Sequence, residues 1–156
     1  MKTKDYQIIS HLRKDARMPL TNMSRQTNIP VSTIFDRIKA NEDNIIIRHT
    51  TLINFNKLGY NTRAHVLVKL DRDFKTNAGD FLSKHPNVNS VFRINNGFDY
   101  MFEAVFTNIK DLESFIDTID QKFKIENKET YYIVEDIKKE AFMSEPDLVN
   151  LMMKSK

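Results

Sequence analysis

Downstream of Gly59 the apolar residues change spacing in the order strand, helix, strand, strand, helix, strand, an order that few topologies accept. Ala64, Val66, Val68 and Leu70 alternate with His65, Leu67 and Lys69, giving a strand with one strongly apolar face. Phe74, Ala78, Phe81, Leu82 and His85 recur at helical spacing, and His85-Pro86-Asn87 closes that helix. Ser90, Phe92 and Ile94 alternate with Val91 and Arg93 up to Asn95-Asn96-Gly97, a hairpin turn because Asn-Gly accepts positive φ. The return strand sets Phe98, Tyr100, Phe102, Ala104 and Phe106 on one face, with Asp99, Met101, Glu103 and Val105 opposite. Asn108 is placed to cap a helix buried through Ile109, Leu112, Phe115, Ile116 and Ile119, and a last strand is predicted from about Glu129 to Ile137. This βαββαβ order makes an antiparallel sheet with both helices on one face, the ferredoxin-like arrangement of an α+β fold.

Upstream the spacing is helical. Tyr6, Ile9 and Leu12, with Ile8 alongside, predict a helix from Thr3 to about Lys14. Pro19 can open a second, with Leu20, Met23 and the small Ser24 on its inner side. Asn28 suits a left-handed corner, and Pro30 opens a third helix in which Val31, Ile34 and Ile38 fall on one face. Ser32, Thr33, Asp36, Arg37 and Lys39 occupy the other face. Short hydrogen-bonding side chains near a helix start, followed by cations, suit entry into a DNA major groove. An ordinary helical hairpin with a solvated face has the same pattern. The β-branched run from Ile45 to Phe55 reads as a strand or extended connector, so the predicted divisions are 1–59 for the helical unit with its connector, 60–142 for the sheet domain, and 143–156 for a tail. In that tail Ser144-Glu145-Pro146-Asp147 has the form of a helix start, with Leu148, Leu151 and Met152 as the apolar side, set against the sheet domain or a neighbouring subunit.

Charge separates the halves. Residues 1–60 hold ten Lys or Arg against five Asp or Glu, and residues 61–156 hold fourteen against sixteen, so the chain's net charge of +3 divides as +5 and −2. The basic excess accompanies the helical hairpin and favours a polyanionic partner there. Without cysteine there are no disulfides, thiolate metal sites or thiol chemistry, and His11, His49, His65 and His85 lack ligand spacing, so neither metal nor cofactor is expected. Gly59, Gly79 and Gly97 are the only glycines, too few for a phosphate-cradling loop. No apolar run approaches the roughly 20 residues that span a bilayer. The start, MKTKDYQ, lacks the apolar core of a signal peptide, and the expected location is cytosolic.

The order of elements, together with DYQIISHLRKDAR, IPVSTIFDRIK and KLGYNTRAHVLVKL, resembles the Lrp/AsnC family of bacterial and archaeal transcription regulators over roughly residues 4 to 140. The resemblance implies an N-terminal, winged helix-turn-helix that binds double-stranded DNA, followed by a domain that pairs into dimers and further into octamers, with a small amino acid held between subunits. On the DNA-binding reading, Arg25, Arg37 and Lys39 would anchor phosphates, while Ser32 and Thr33 would read bases; Asp36 either reads a cytosine amino group or forms an ion pair with a neighbouring Arg within the protein. The family's recognition helix begins with a serine where this chain has Pro30, and family members carry a leucine and a glycine where this chain has Asn41 and Asn44-Ile45. Members that bind an amino acid carry Gly-x-x-Asp between the second and third strands. Asn96-Gly97-Phe98-Asp99 keeps the aspartate with the glycine displaced by one, so Asn96, Gly97 and Asp99 are the effector candidates. The alternative is an enzyme on a similar scaffold that decarboxylates sirohaem, for which His49, His65, Arg48 and Arg63 are the available residues.

Overall fold

A computed structural model describes residues 3–42 and 44–154. In chain order its elements are α1 (Thr3–Lys14), α2 (Leu20–Thr27), α3 (Val31–Glu42), β1 (Thr62–Leu70), α4 (Lys75–Lys84), β2 (Val88–Arg93), β3 (Tyr100–Phe106), α5 (Ile109–Phe123), β4 (Ile125–Tyr132) and α6 (Pro146–Lys154). They form two compact units, one from the chain up to Leu52 with the segment from Ile137 onward, the other from Ile53–Asp136.

In the first unit Ile8, Met23, Ile29 and Ile34 are buried together, with Leu12, Met18, Leu20 and Ile38 packed around them. One apolar side chain from each of α1, α2, the corner and α3 meets at this point, which fixes the three helices as a helix-turn-helix. The same segment that holds Val149, a buried residue of α6, returns to this unit and lies against α1. Gln7 Nε2 donates to Asn150 Oδ1 at 3.1 Å, while Arg13 donates to the backbone carbonyls of Phe142 at 3.0 Å and Glu140 at 2.8 Å. The predicted apolar side of this helix is therefore corrected: Leu148, Leu151 and Met152 are 59–63% exposed, and among the described side chains of α6 Val149 supplies the buried contact at 4%. Ser144 donates its hydroxyl back to the Ala141 carbonyl, 3.0 Å away.

The second unit is a four-stranded antiparallel sheet in the order β2-β3-β1-β4, so the two central strands are β3 and β1. Val66 stands opposite Phe102 on one side and Thr130 on the other. Ala64, Val66, Val68, Leu70, Phe102, Ala104 and Phe106 face the helices and meet Ala78 and Leu82 of α4 and Leu112, Phe115, Ile116 and Ile119 of α5. The period of two in the strands and of about 3.6 in the helices thus points at one core. Asn108 caps α5 by accepting the Asp111 N–H at 2.9 Å.

Three expectations need adjustment. The last strand begins at Ile125 and ends at Tyr132, about four residues before the predicted span. As an edge strand with one partner it carries Glu126, Lys128 and Glu129 on its exposed positions, and those charges conceal it. Residues 46–54 form no strand, since nothing among the described residues pairs with them and Ile47 is 97% exposed. Ile109 is 56% exposed, so the buried stripe of α5 begins at Leu112 and extends to Phe123.

Candidate nucleic-acid interface

The corner between α2 and α3 is built from short-range bonds. Asn28 adopts φ 55 and its N–H donates to the Ser24 carbonyl at 2.9 Å, closing α2 with a left-handed residue. Thr27 donates its hydroxyl to Met23 O at 2.8 Å and accepts the Ile29 N–H at 3.3 Å, which turns Ile29 into the core. The Ile34 N–H then bonds the Pro30 carbonyl at 3.0 Å, starting α3 with the proline ring ahead of its first turn. At the far end, the N–H groups of Asn44, Ile45 and Ile46 gather on the Asn41 carbonyl at 2.7–3.1 Å.

With Ile34 fully buried, helical geometry sends Ser32, Phe35, Asp36 and Lys39 outward, and all four are exposed. Thr33 is half-buried at the flank. Val31, expected on the inner face, is 39% exposed. Asp36 and Lys39 make no hydrogen bond or ion pair with any described residue, so both groups are presented to solvent. Arg25, on α2, is exposed and donates to Asn22 Oδ1 at 3.0 Å.

Arg37 stands apart from the other expected phosphate contacts. Its guanidinium turns back to α1 and meets the Asp5 carboxylate at 2.6 Å, with the two side chains 23% and 12% exposed. Its Nε is buried without a hydrogen-bond partner. Arg37, expected as a phosphate anchor, is engaged within the unit in this structure: its charge faces Asp5 and ties α3 to α1. The pair joins positions 32 residues apart, and no local spacing announces it. Phe35 was also not singled out by its sequence context; the only signal is that it falls off the Ile34–Ile38 stripe.

In the sheet unit the effector candidates separate. Asn96 (φ 63) and Gly97 (φ 89) form the exposed tip of the β2–β3 turn. Asp99 points the other way, accepting the Leu70 N–H at 2.9 Å and pairing with Lys75 at 2.6 Å, while its own N–H donates to Val68 O at 2.9 Å. Burial alone would raise its pKa; the Leu70 N–H and the Lys75 ammonium outweigh that, and the carboxyl sits below its ordinary value. Asp99 is thus engaged in joining the end of β1, the start of α4 and the start of β3.

The residues available for tetrapyrrole chemistry are likewise engaged or scattered. Arg63 bonds Glu103 at 2.9 Å and Asp136 at 2.7 Å through both terminal nitrogens, and chiefly the Asp136 bonds hold it protonated. Glu103, buried in the sheet, also accepts from Asn89 at 2.5 Å. His65 lies on β1 beside them, whereas Arg48 and His49 belong to the other unit, where His49 meets Glu42 at 3.0 Å. No group of His, Asp or Glu among the described residues is arranged to hold a metal ion, and no helix is long and apolar enough to cross a membrane.

Comparison with known proteins gives matching answers for both units. Residues 1–40 match the winged helix-turn-helix DNA-binding model, and residues 63–142 match the Lrp/AsnC ligand binding domain. The HTH-type transcriptional regulator FL11 of Pyrococcus furiosus is 29% identical over 131 residues, covering 83% of this chain and 87% of the relative. Among solved structures, a transcriptional regulator of Neisseria meningitidis in complex with L-Met superposes with a TM-score of 0.83 at 21% identity, covering 89% of this chain and 93% of that one. LrpC of Bacillus subtilis superposes with a TM-score of 0.80 at 21% identity, covering 88% and 97%. These structures share the helix-turn-helix and sheet architecture described above.

Proposed function

Since the chain belongs to the Lrp/AsnC family of transcription regulators, we propose that it works in the cytosol as a dimer or higher oligomer that sets α3 into successive major grooves of double-stranded DNA, about one helical turn apart. The observation that carries this reading is the division of α3 into a sealed side at Ile34 and an open side with Ser32, Asp36 and Lys39. Ser32 and Thr33 stand near the helix start, where a groove-bound helix meets base edges. Asp36, without a cation of its own, suits a cytosine amino group. Lys39 and Arg25 supply the phosphate contacts, and Arg37 holds the helix on which the others stand.

Self-association is supported by apolar residues that neither unit covers. Ile47 and Val134 are each 97% exposed, and Leu52, Ile53 and Ile137 are at least half exposed. A second copy is the occupant that would bury them. A small amino-acid effector is the further part of the reading, with the exposed Asn96-Gly97 turn as its contact; Asp99 would reach it only by leaving Lys75.

The experiment is a salt titration of DNA binding with the full chain on genomic fragments that include its own promoter region. In a dimer each substitution removes two phosphate contacts, so Arg25→Ala and Lys39→Ala should each lower the slope of log K against log salt by about 1.8. Ser32→Ala or Thr33→Ala should shift sequence preference and leave the slope in place. A protein that shows no salt-sensitive binding to any fragment ends this reading.

A further inference from the structure

Phe35 is the largest apolar side chain on the outer surface of α3, 57% exposed and one residue beyond the sealed Ile34. An aromatic ring left in water on this face keeps its apolar surface available to a partner that can bury it. Its neighbours on that surface are Ser32 at i−3 and Lys39 at i+4, so one face carries a hydroxyl, a ring and an ammonium in succession along the helix. The C5-methyl of thymine is the one apolar group that the major-groove edge of a base pair presents, and phenylalanine is among the side chains that meet it. Resting on the DNA-binding reading above, we propose that Phe35 is a specificity-determining residue that reads a thymine methyl in each half-site.

The competing use of an exposed ring is contact with a second protein chain. The two differ in what they require of DNA. A ring seated on a methyl makes affinity depend on that methyl and leaves the phosphate contacts, and so the salt slope, unchanged. A ring seated on a partner chain makes the mass of the assembly depend on Phe35 and is blind to base chemistry.

The test begins with selection of bound fragments from random DNA by the full chain. Each thymine of the selected duplex is then replaced in turn by deoxyuridine, which lacks only the methyl, and affinities are measured at one salt concentration for wild type, Phe35→Ala and Phe35→Leu. One thymine position per half-site should show a loss of roughly fourfold for wild type, the value of one buried methyl. Phe35→Ala should bind the unmodified duplex more weakly by at least that factor, lose nothing further on demethylation, and keep the wild-type salt slope and sedimentation coefficient. Phe35→Leu, which keeps an aliphatic contact, should retain part of the methyl dependence and guards against an alanine variant that fails to fold. Wild type indifferent to demethylation at every position overturns the proposal, as does Phe35→Ala responding to demethylation as wild type does, or Phe35→Ala changing the assembly's mass with base preference intact. Failure to select any DNA overturns the DNA-binding reading itself, and the Phe35 assignment with it.

Discussion

The Arg37 guanidinium and the Asp5 carboxylate meet at 2.6 Å, joining the third helix of the DNA-binding unit to the first. Both side chains are mostly withdrawn from solvent, so losing the cation takes a charge-assisted bond from a largely desolvated carboxylate. Arg37→Ala should therefore cost about 2 kcal/mol of stability in this unit, below the full penalty of a sealed pair because water reaches part of both groups. Asp5→Ala with Arg37→Met should cost less than the sum of the single changes, since the second removes the charge the first would strand. The salt slope of DNA binding should be unchanged in folded Arg37→Ala. A slope reduced as in Lys39→Ala would return Arg37 to the phosphate contacts.

Gly79, in the middle of α4, allows the close approach of Tyr100. A Cβ added at Gly79 would lie 2.6 Å from the Tyr100 hydroxyl oxygen and 2.9 Å from the ring carbon that bears it. That hydroxyl also donates to the Lys75 carbonyl at 3.1 Å, which holds the ring over the helix. Alanine gains about 1 kcal/mol in helix propensity but must displace the ring, for which overpacking typically costs about 1–3 kcal/mol. Gly79→Ala should be destabilising by about 1 kcal/mol, and Tyr100→Phe, which removes the nearest atom and frees the ring from the Lys75 carbonyl, should lessen that cost without abolishing it, because the ring carbon at 2.9 Å remains. Thermal unfolding of the four proteins in that double-mutant cycle measures the coupling.

Why some of this was legible in the sequence and some was not follows from the range of each interaction. Asn28, Asn96-Gly97 and Asn108 act through bonds within a few residues, and their residue types report the backbone they adopt. The alternation of Ala64, Val66, Val68 and Leu70 reports a strand with a covered face on one side. Amphipathicity, however, says which residues a helix can bury and leaves open which it does bury. In α6 Leu148, Leu151 and Met152 are exposed while Val149 is buried. In β4 the edge position admits charges that erase the alternation. Within the candidate interface the polar face of α3 is visible from spacing, but the withdrawal of Arg37 depends on a carboxylate in another helix, and Phe35 is exposed against its hydrophobicity. Side-chain chemistry on a helix thus indicates the face, and tertiary contacts set which of its side chains are exposed.

The C-terminal helix should contribute measurably to the DNA-binding unit. A nine-residue helix has no independent stability in water, so α6 exists by virtue of its contact with α1. Both family models stop short of it, at residues 40 and 142, which makes this contact a property of the chain beyond the matched regions. Val149→Ala removes two buried methyl-sized groups and should cost about 1.5 kcal/mol. Hydrogen exchange should quicken in α6 and α1 and stay unchanged in β1 and β3. Equal acceleration in both units would show that the cost is not local to this contact.

His11 gives the same unit a dependence on pH. The residue is 7% exposed, with Nδ1 buried and without a hydrogen-bond partner among the described residues. Burial holds its pKa below the ordinary 6.5, the Lys14 charge lowers it further, and Asp147 on α6 partly raises it. The unfolded chain therefore takes up this proton before the folded one does. Its contribution to stability is fully present above about pH 6.5 and is lost as the pH falls from there toward the lower folded-state value. Unfolding followed at α1 should show decreasing stability across that interval, and His11→Gln should remove this part of the slope. Asp147→Asn takes away this opposing charge, lowers the folded-state pKa further, and should extend the loss to lower pH. His85, whose pKa is lowered by burial and then by Lys122, produces a slope of the same sign in the sheet unit, so exchange rates in α1 and in β1 must be read separately. A slope at α1 that survives His11→Gln would place the titrating group elsewhere in the unit.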